Sequence, residues 1–133
     1  MADAAFVVDN GLAIITNRII GAGTEPKYIC WGTGATGAAA TDTTIQTNAT
    51  ETATTAVTGT GTRVQTTTAN DTYQVVGTVT CAGSGKTITE VSLIDSATVA
   101  GANTFFHGTF TGIALSVNDA IEFTLKVVFN QSA

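Results

Sequence analysis

The clearest pattern in the chain is a strict two-residue alternation near its C-terminus. Between Ala120 and Asn130, Ile121, Phe123, Leu125, Val127 and Phe129 fall on one side and Glu122, Thr124 and Lys126 on the other. That period is the mark of a half-buried β-strand. A second strand reads from Tyr73 to Cys81, where Tyr73, Val75, Val79 and Cys81 alternate with Gln74, Thr78 and Thr80. Gly77 interrupts it, which fits a bulge or a close backbone contact. Ile88 to Asp95 predicts a third strand, with Val91 and Leu93 on one face and Glu90 and Ser92 on the other, after a hairpin turn at Gly83-Ser84-Gly85. Phe105 to Leu115 predicts a fourth, broken by Gly108 and Gly112, while Lys27 to Thr33 is apolar on both faces and reads as a strand covered on two sides.

Only the beginning of the chain carries a helical period. Leu12, Ile15 and Ile19 share one helical face between Asp9 and Ile20, with Asp9 or Asn10 as N-cap and Gly21-Ala22-Gly23 as the stop. The same stretch also admits an alternating strand through Leu12, Ile14 and Thr16. Gly34 to Asp42 is glycine, alanine and threonine, a loop by composition. Glu51 to Thr68 is dense in threonine, with Val57 and Val64 as its main large apolar residues, and reads as a weakly packed strand or hairpin. Short strands with turn signals and no helices between them predict an all-β chain, a jelly roll or β-sandwich. At 133 residues it is expected to form one domain, residues 1–26 giving an arm and short helix and residues 27–133 the sandwich.

Composition narrows the function classes. Charged residues are only 11% of the chain, and its net charge of -5 rests on five basic residues against ten acidic ones. A phosphate backbone is held by clustered Lys and Arg, so nucleic acid is not an expected partner. No apolar run approaches the roughly 20 residues that span a bilayer, and Ala4 to Val8, flanked by Asp3 and Asp9, lacks the basic start of a signal peptide. A soluble, cytosolically made protein with no membrane partner is expected. In that setting Cys30 and Cys81 read as reduced, buried side chains. The glycosylation sequons at Asn48, Asn70 and Asn130 then carry little meaning.

Candidate chemistry is sparse. Gly83-Ser84-Gly85-Lys86-Thr87 looks like the end of a phosphate-binding loop, but Thr80 stands where the leading glycine belongs, and a strand follows instead of a helix. His107 is the only histidine and sits among Phe105, Phe106 and Phe110, which favours a packed or rim histidine over a nucleophile's base or a metal ligand. The ten carboxylates are spread along the chain without a close pair. Tyr28, Trp31, Tyr73, Phe105 and Phe106 could stack on a sugar, but strand alternation points most of them inward. No catalytic residue, metal site or cofactor is expected.

Several phrases resemble structural proteins of tailed bacteriophages. They are Asn70-Asp71-Thr72-Tyr73-Gln74-Val75-Val76-Gly77-Thr78-Val79, Ile88-Thr89-Glu90-Val91-Ser92-Leu93-Ile94-Asp95, the Phe-rich strand, Asn118-Asp119, and Ile121-Glu122-Phe123-Thr124-Leu125. Gly11-Leu12-Ala13 and Tyr28-Ile29-Cys30-Trp31-Gly32-Thr33-Gly34 are similar to the same group's opening segment. The likeness is nearest to capsid cement (decoration) proteins of the jelly-roll type, and tail-fibre-like proteins share the phrases. Ser92 departs from the group, where glycine is common. The resemblance implies a non-enzymatic virion protein on the capsid surface that clamps neighbouring subunits of the major capsid protein. The alternative it leaves is a tail-fibre or receptor- or carbohydrate-binding protein. A low-charge surface suits such work, because interface cores are depleted in charge. Self-association as a dimer or trimer is also expected, with the apolar arm Phe6-Val7-Val8 and Trp31 as candidate interface.

Overall fold

The computed structural model describes residues 3–131. Met1, Ala2, Ser132 and Ala133 lie outside the described residues, and with Ser132 goes the third residue of the last sequon. The elements in chain order are β1 (Ala4–Val7), α1 (Asp9–Ile19), β2 (Tyr28–Gly32), β3 (Val57–Thr58), β4 (Thr60–Val64), β5 (Thr72–Thr80), β6 (Lys86–Ile94), β7 (Thr104–Leu115) and β8 (Ala120–Val128). They form two antiparallel sheets, a five-stranded one in the order β1-β7-β6-β2-β3 and a three-stranded one in the order β4-β5-β8. This is the all-β sandwich with one short N-terminal helix that the alternation implied.

The core lies between the sheets. Ile29, Trp31, Ile88, Val91, Leu93 and Phe105 from the larger sheet meet Val75, Val79 and Phe123 from the smaller one. β5 and β8 keep one unbroken register from Thr72 opposite Val128 to Thr80 opposite Ala120. Gly77 is therefore a close contact and not a bulge: a Cβ there would lie 2.6 Å from the Ile29 side chain and 3.2 Å from Gly59 Cα. The bulge falls instead in the β6–β7 ladder between Ile88 and Glu90. It shifts the side-chain phase, so that Ile88, Val91 and Leu93 all reach the core while Glu90 and Ser92 go to the outer face.

Three expectations are corrected by the packing. β5 and β6 belong to different sheets, so Gly83-Ser84-Gly85 is not a hairpin turn but a passage from one sheet to the other, with Gly83 at φ 75°. Stacking face to face lets both strands bury their apolar sides against each other, which side-by-side pairing would not do. The threonine-rich segment is likewise no hairpin: β3 joins β2 in one sheet, β4 joins β5 in the other, and Gly59 between them is anchored by its N–H to the Lys27 carbonyl at 2.8 Å. Finally, β1 is not a free arm but an edge strand, paired with β7 from Ala4 opposite Thr109 to Val7 opposite Phe106.

The helix runs as expected but is rotated. Val8 occupies the N-cap without a side-chain hydrogen bond, so neither Asp9 nor Asn10 caps it, and Asp9 lies in the first turn. Its buried residues are Gly11 and Ile14, whereas Leu12 and Ile19 are 59% and 79% exposed. The reason is Gly11, which lets the helix approach β7 so closely that a Cβ there would collide with the Phe105 carbonyl. Gly21, at φ 79°, ends the helix as expected, its N–H bonding the Arg18 carbonyl at 3.2 Å.

Candidate functional site

Of the four candidate interface residues, two are interior. Trp31 and Val8 are both 0% exposed, Val7 is half-buried, and only Phe6, at 41%, offers substantial surface. Trp31 shares the inter-sheet core, and the opposite face of β2 is covered by the chain itself: Cys30 packs in a small second cluster with Ile45, Ala56 and Ile94. Both faces of β2 are covered, as its sequence required, but the cover is segment 33–56 and not another subunit. Both cysteines are free and buried, and burial pushes the Cys30 thiol up to about 11.

Other exposed apolar side chains are Ile113 and Val117, at 42% and 45%, and the most exposed sit on α1 and just past its end. Leu12, Ile19 and Ile20 are joined by Phe129, which is 50% exposed. Ile15, Ile19, Pro26, Tyr73 and Phe129, with Arg18 and Glu25 at hand, line a groove of about 310 Å³ between the helix and the smaller sheet.

Two polar clusters tie the loops to the sheets. In the first, Glu51 accepts hydrogen bonds from Trp31 Nε1 at 3.2 Å and from the Ala82 N–H at 2.8 Å, and pairs with the Lys86 ammonium. Burial works against its charge, but Lys86, the Ala82 N–H and Trp31 outweigh that and hold the carboxyl at about 2. Lys86 of the candidate phosphate loop is thus engaged by a carboxylate and opens strand β6.

In the second cluster His107, fully buried, has Nδ1 2.6 Å from Asp42 Oδ2 and Nε2 3.0 Å from Glu90 Oε1. Glu90 is itself fully buried and accepts N–H bonds from Gly34, Gln46 at 2.7 Å and Thr47 at 3.1 Å. With a carboxylate oxygen at each ring nitrogen, the protonated imidazole satisfies the site, donating from both. Burial disfavours that charge, yet the bonds to Glu90 and Asp42 prevail and hold the histidine above its ordinary value. Burial is outweighed in the same way at both carboxyls, which are held low, Glu90 by His107 and the three N–H donors, Asp42 by the Ala39 N–H and His107.

His107 is thus the packed histidine that its neighbours suggested, but the spread of carboxylates along the chain was misleading. Asp42 and Glu90 meet at one ring although they stand 65 and 17 positions from it. No spacing in the sequence marks the cluster, because β6 and β7 bring Glu90 and His107 together only once the strand order is formed. Among the described residues no group is arranged to hold a metal ion, and no helix is long and apolar enough to cross a membrane. No known protein family, curated protein or solved structure matches the chain.

Proposed function

We propose that this protein is a capsid cement protein of a tailed bacteriophage, binding the outer surface of the shell and joining neighbouring major capsid subunits. The observation that carries the reading is the run of phrases from Asn70 to Val79, Ile88 to Asp95 and Ile121 to Leu125, which resembles such proteins. Those phrases fall on β5, β6 and β8, the frame of the sandwich. The exposed side chains of Leu12, Ile19, Ile20 and Phe129 add to it, Ile19 and Phe129 lining one groove, since exposed apolar surface marks an interaction site. The polar clusters fit a scaffold: His107 has both ring nitrogens engaged and no exposed surface from which to act as a base on a substrate.

A clamp of this kind binds the assembled shell and so stabilises it by mass action. Many modest interfaces on one shell suffice, because linked copies add avidity. The test is DNA release on heating, from heads with and without the protein. A higher release temperature for decorated heads is expected. Equal temperatures, with the protein found on isolated tails by immunogold, favour the tail-fibre reading instead.

A further inference from the structure

Segment 33–50 lies over the outer face of the larger sheet with little apolar surface to hold it. Ile45 is its only large aliphatic side chain, the rest being mostly glycine, alanine and threonine. Polar contacts make the attachment. Thr104 Oγ1 donates to the Thr43 carbonyl at 2.8 Å and Thr89 Oγ1 to the Gly34 carbonyl at 2.6 Å. Main-chain bonds add to these, Ala49 N–H to the Trp31 carbonyl at 2.9 Å and Asp9 N–H to the Ala40 carbonyl at 2.8 Å, and the ionised side chains that hold the segment are Glu90 and His107. Glu90 takes the N–H groups of Gly34, Gln46 and Thr47, and His107 binds Asp42 directly while bonding the same Glu90.

We propose that Asp42, His107 and Glu90 form a protonation-operated latch: with the imidazole protonated they clamp segment 33–50 over the sheet, and loss of one ring proton lets that segment open while the sandwich stays folded. A neutral imidazole keeps a single N–H and can donate to Asp42 or to Glu90 but not to both. Two carboxylates then face one another across a buried ring without a cation, and opening moves Asp42, already 22% exposed, away from the fully buried Glu90. No other charge compensates. Among the described residues β6 contributes Glu90, its Lys86 being paired with Glu51 at the strand's far end, the segment itself Asp42, β1 the uncharged Phe6 opposite His107, and β2 the Cys30 thiol, which stays protonated to about 11. No lysine or arginine pairs with either carboxylate among those residues.

Opening removes Asp42 from the ring of His107 but leaves Glu90 beside it on the adjacent strand β6, so the histidine is held less far above its ordinary value in the open form than in the closed one. The closed form therefore holds more protons than the open form between those two values. Over that window opening grows by up to about tenfold per pH unit, then levels off. Amide hydrogen exchange, corrected for its intrinsic base catalysis, reads this directly from about pH 6 to about pH 9. Protection at Gly34, Gln46 and Thr47 is expected to fall with that slope, while Val75 and Phe123 on β5 and β8 hold theirs. Labelling of Cys30 by a thiol reagent, corrected for its thiolate fraction, should rise in parallel, since Ile45 of the segment packs in the cluster that buries it. Protection that stays constant across the range overturns the latch, and so does its simultaneous loss in the segment and in β5–β8. His107→Gln should flatten the profile. Should that variant fail to fold, Asp42→Asn serves: segment protection at about pH 6 should drop at least about tenfold, and native-like protection with the native pH profile refutes the proposal.

Discussion

Trp31 shows how one side chain binds distant parts of the chain. Its ring fills the core at 0% exposure, and its single polar atom is met by Glu51, which in turn receives Lys86 and the Ala82 N–H. Glu51→Gln should cost about 2 kcal/mol in denaturant melts, the usual loss for hydrogen bonds to a charged group. Because the folded carboxyl sits at about 2 against 4.5 ordinarily, its contribution is complete above about pH 4.5 and fades as the pH falls toward 2. The variant should therefore lose that portion of the acid dependence. Ser92 is the opposite case: its buried hydroxyl finds no partner apart from a weak contact with the Cys30 thiol. Ser92→Ala should leave the melting temperature unchanged or raise it slightly, and a loss above about 1 kcal/mol would show that the hydroxyl is bonded after all. Burial of Trp31 was readable from its two-faced strand. Its partners were not, since Glu51 lies 20 positions from Trp31 and Lys86 a further 35 on, and only the fold brings them together.

At the level of elements, β8 was legible from Ala120 to Val128 because solvent on one side and core on the other impose its period, but Phe129, assigned to the inward side, lies past the strand's end and is 50% exposed. Phe123→Ala should cost roughly 3 to 5 kcal/mol by emptying a core site, while Thr124→Ala, on the exposed side, should cost little. Denaturant melts that rank them in reverse would overturn the register. Helix α1 was legible in extent but not in orientation. Hydrophobic periodicity weighs side chains, and the contact that sets the rotation is made by Gly11, which has none. The pairing of β5 with β8 rather than with β6 was hidden for a related reason. Alternation tells which face of a strand is apolar, and says nothing of whether its sequence neighbour lies beside it or across the core.

For the whole molecule, the exposed side chains of α1 replace the buried Trp31 and Val8 as the candidate surface for the proposed association. Ile19→Lys, at a site 79% exposed, should change the melting temperature little and yet weaken self-association in light scattering or binding to heads. Unchanged assembly and binding would remove the helix from the interface. Removing residues 2 to 8 is a different experiment from trimming an arm, since it deletes an edge strand and Val8 from the interior. It should lower stability as well as any assembly.

The pairing of β1 with β7 also bears on how quickly the fold is reached. Thr109 and Ala4 touch across 105 positions of chain, and β5 waits for β8, the last of the described strands. Neither sheet can be completed until β7 and β8 have left the ribosome. Such non-local closure places folding in the slow, millisecond-to-second class of all-β domains. For that interval the nascent chain presents unpaired strand edges to its neighbours, and the scarcity of charge along it leaves little repulsion to keep copies apart. Yield on expression should therefore respond more to temperature and crowding during synthesis than the stability of the finished sandwich would suggest.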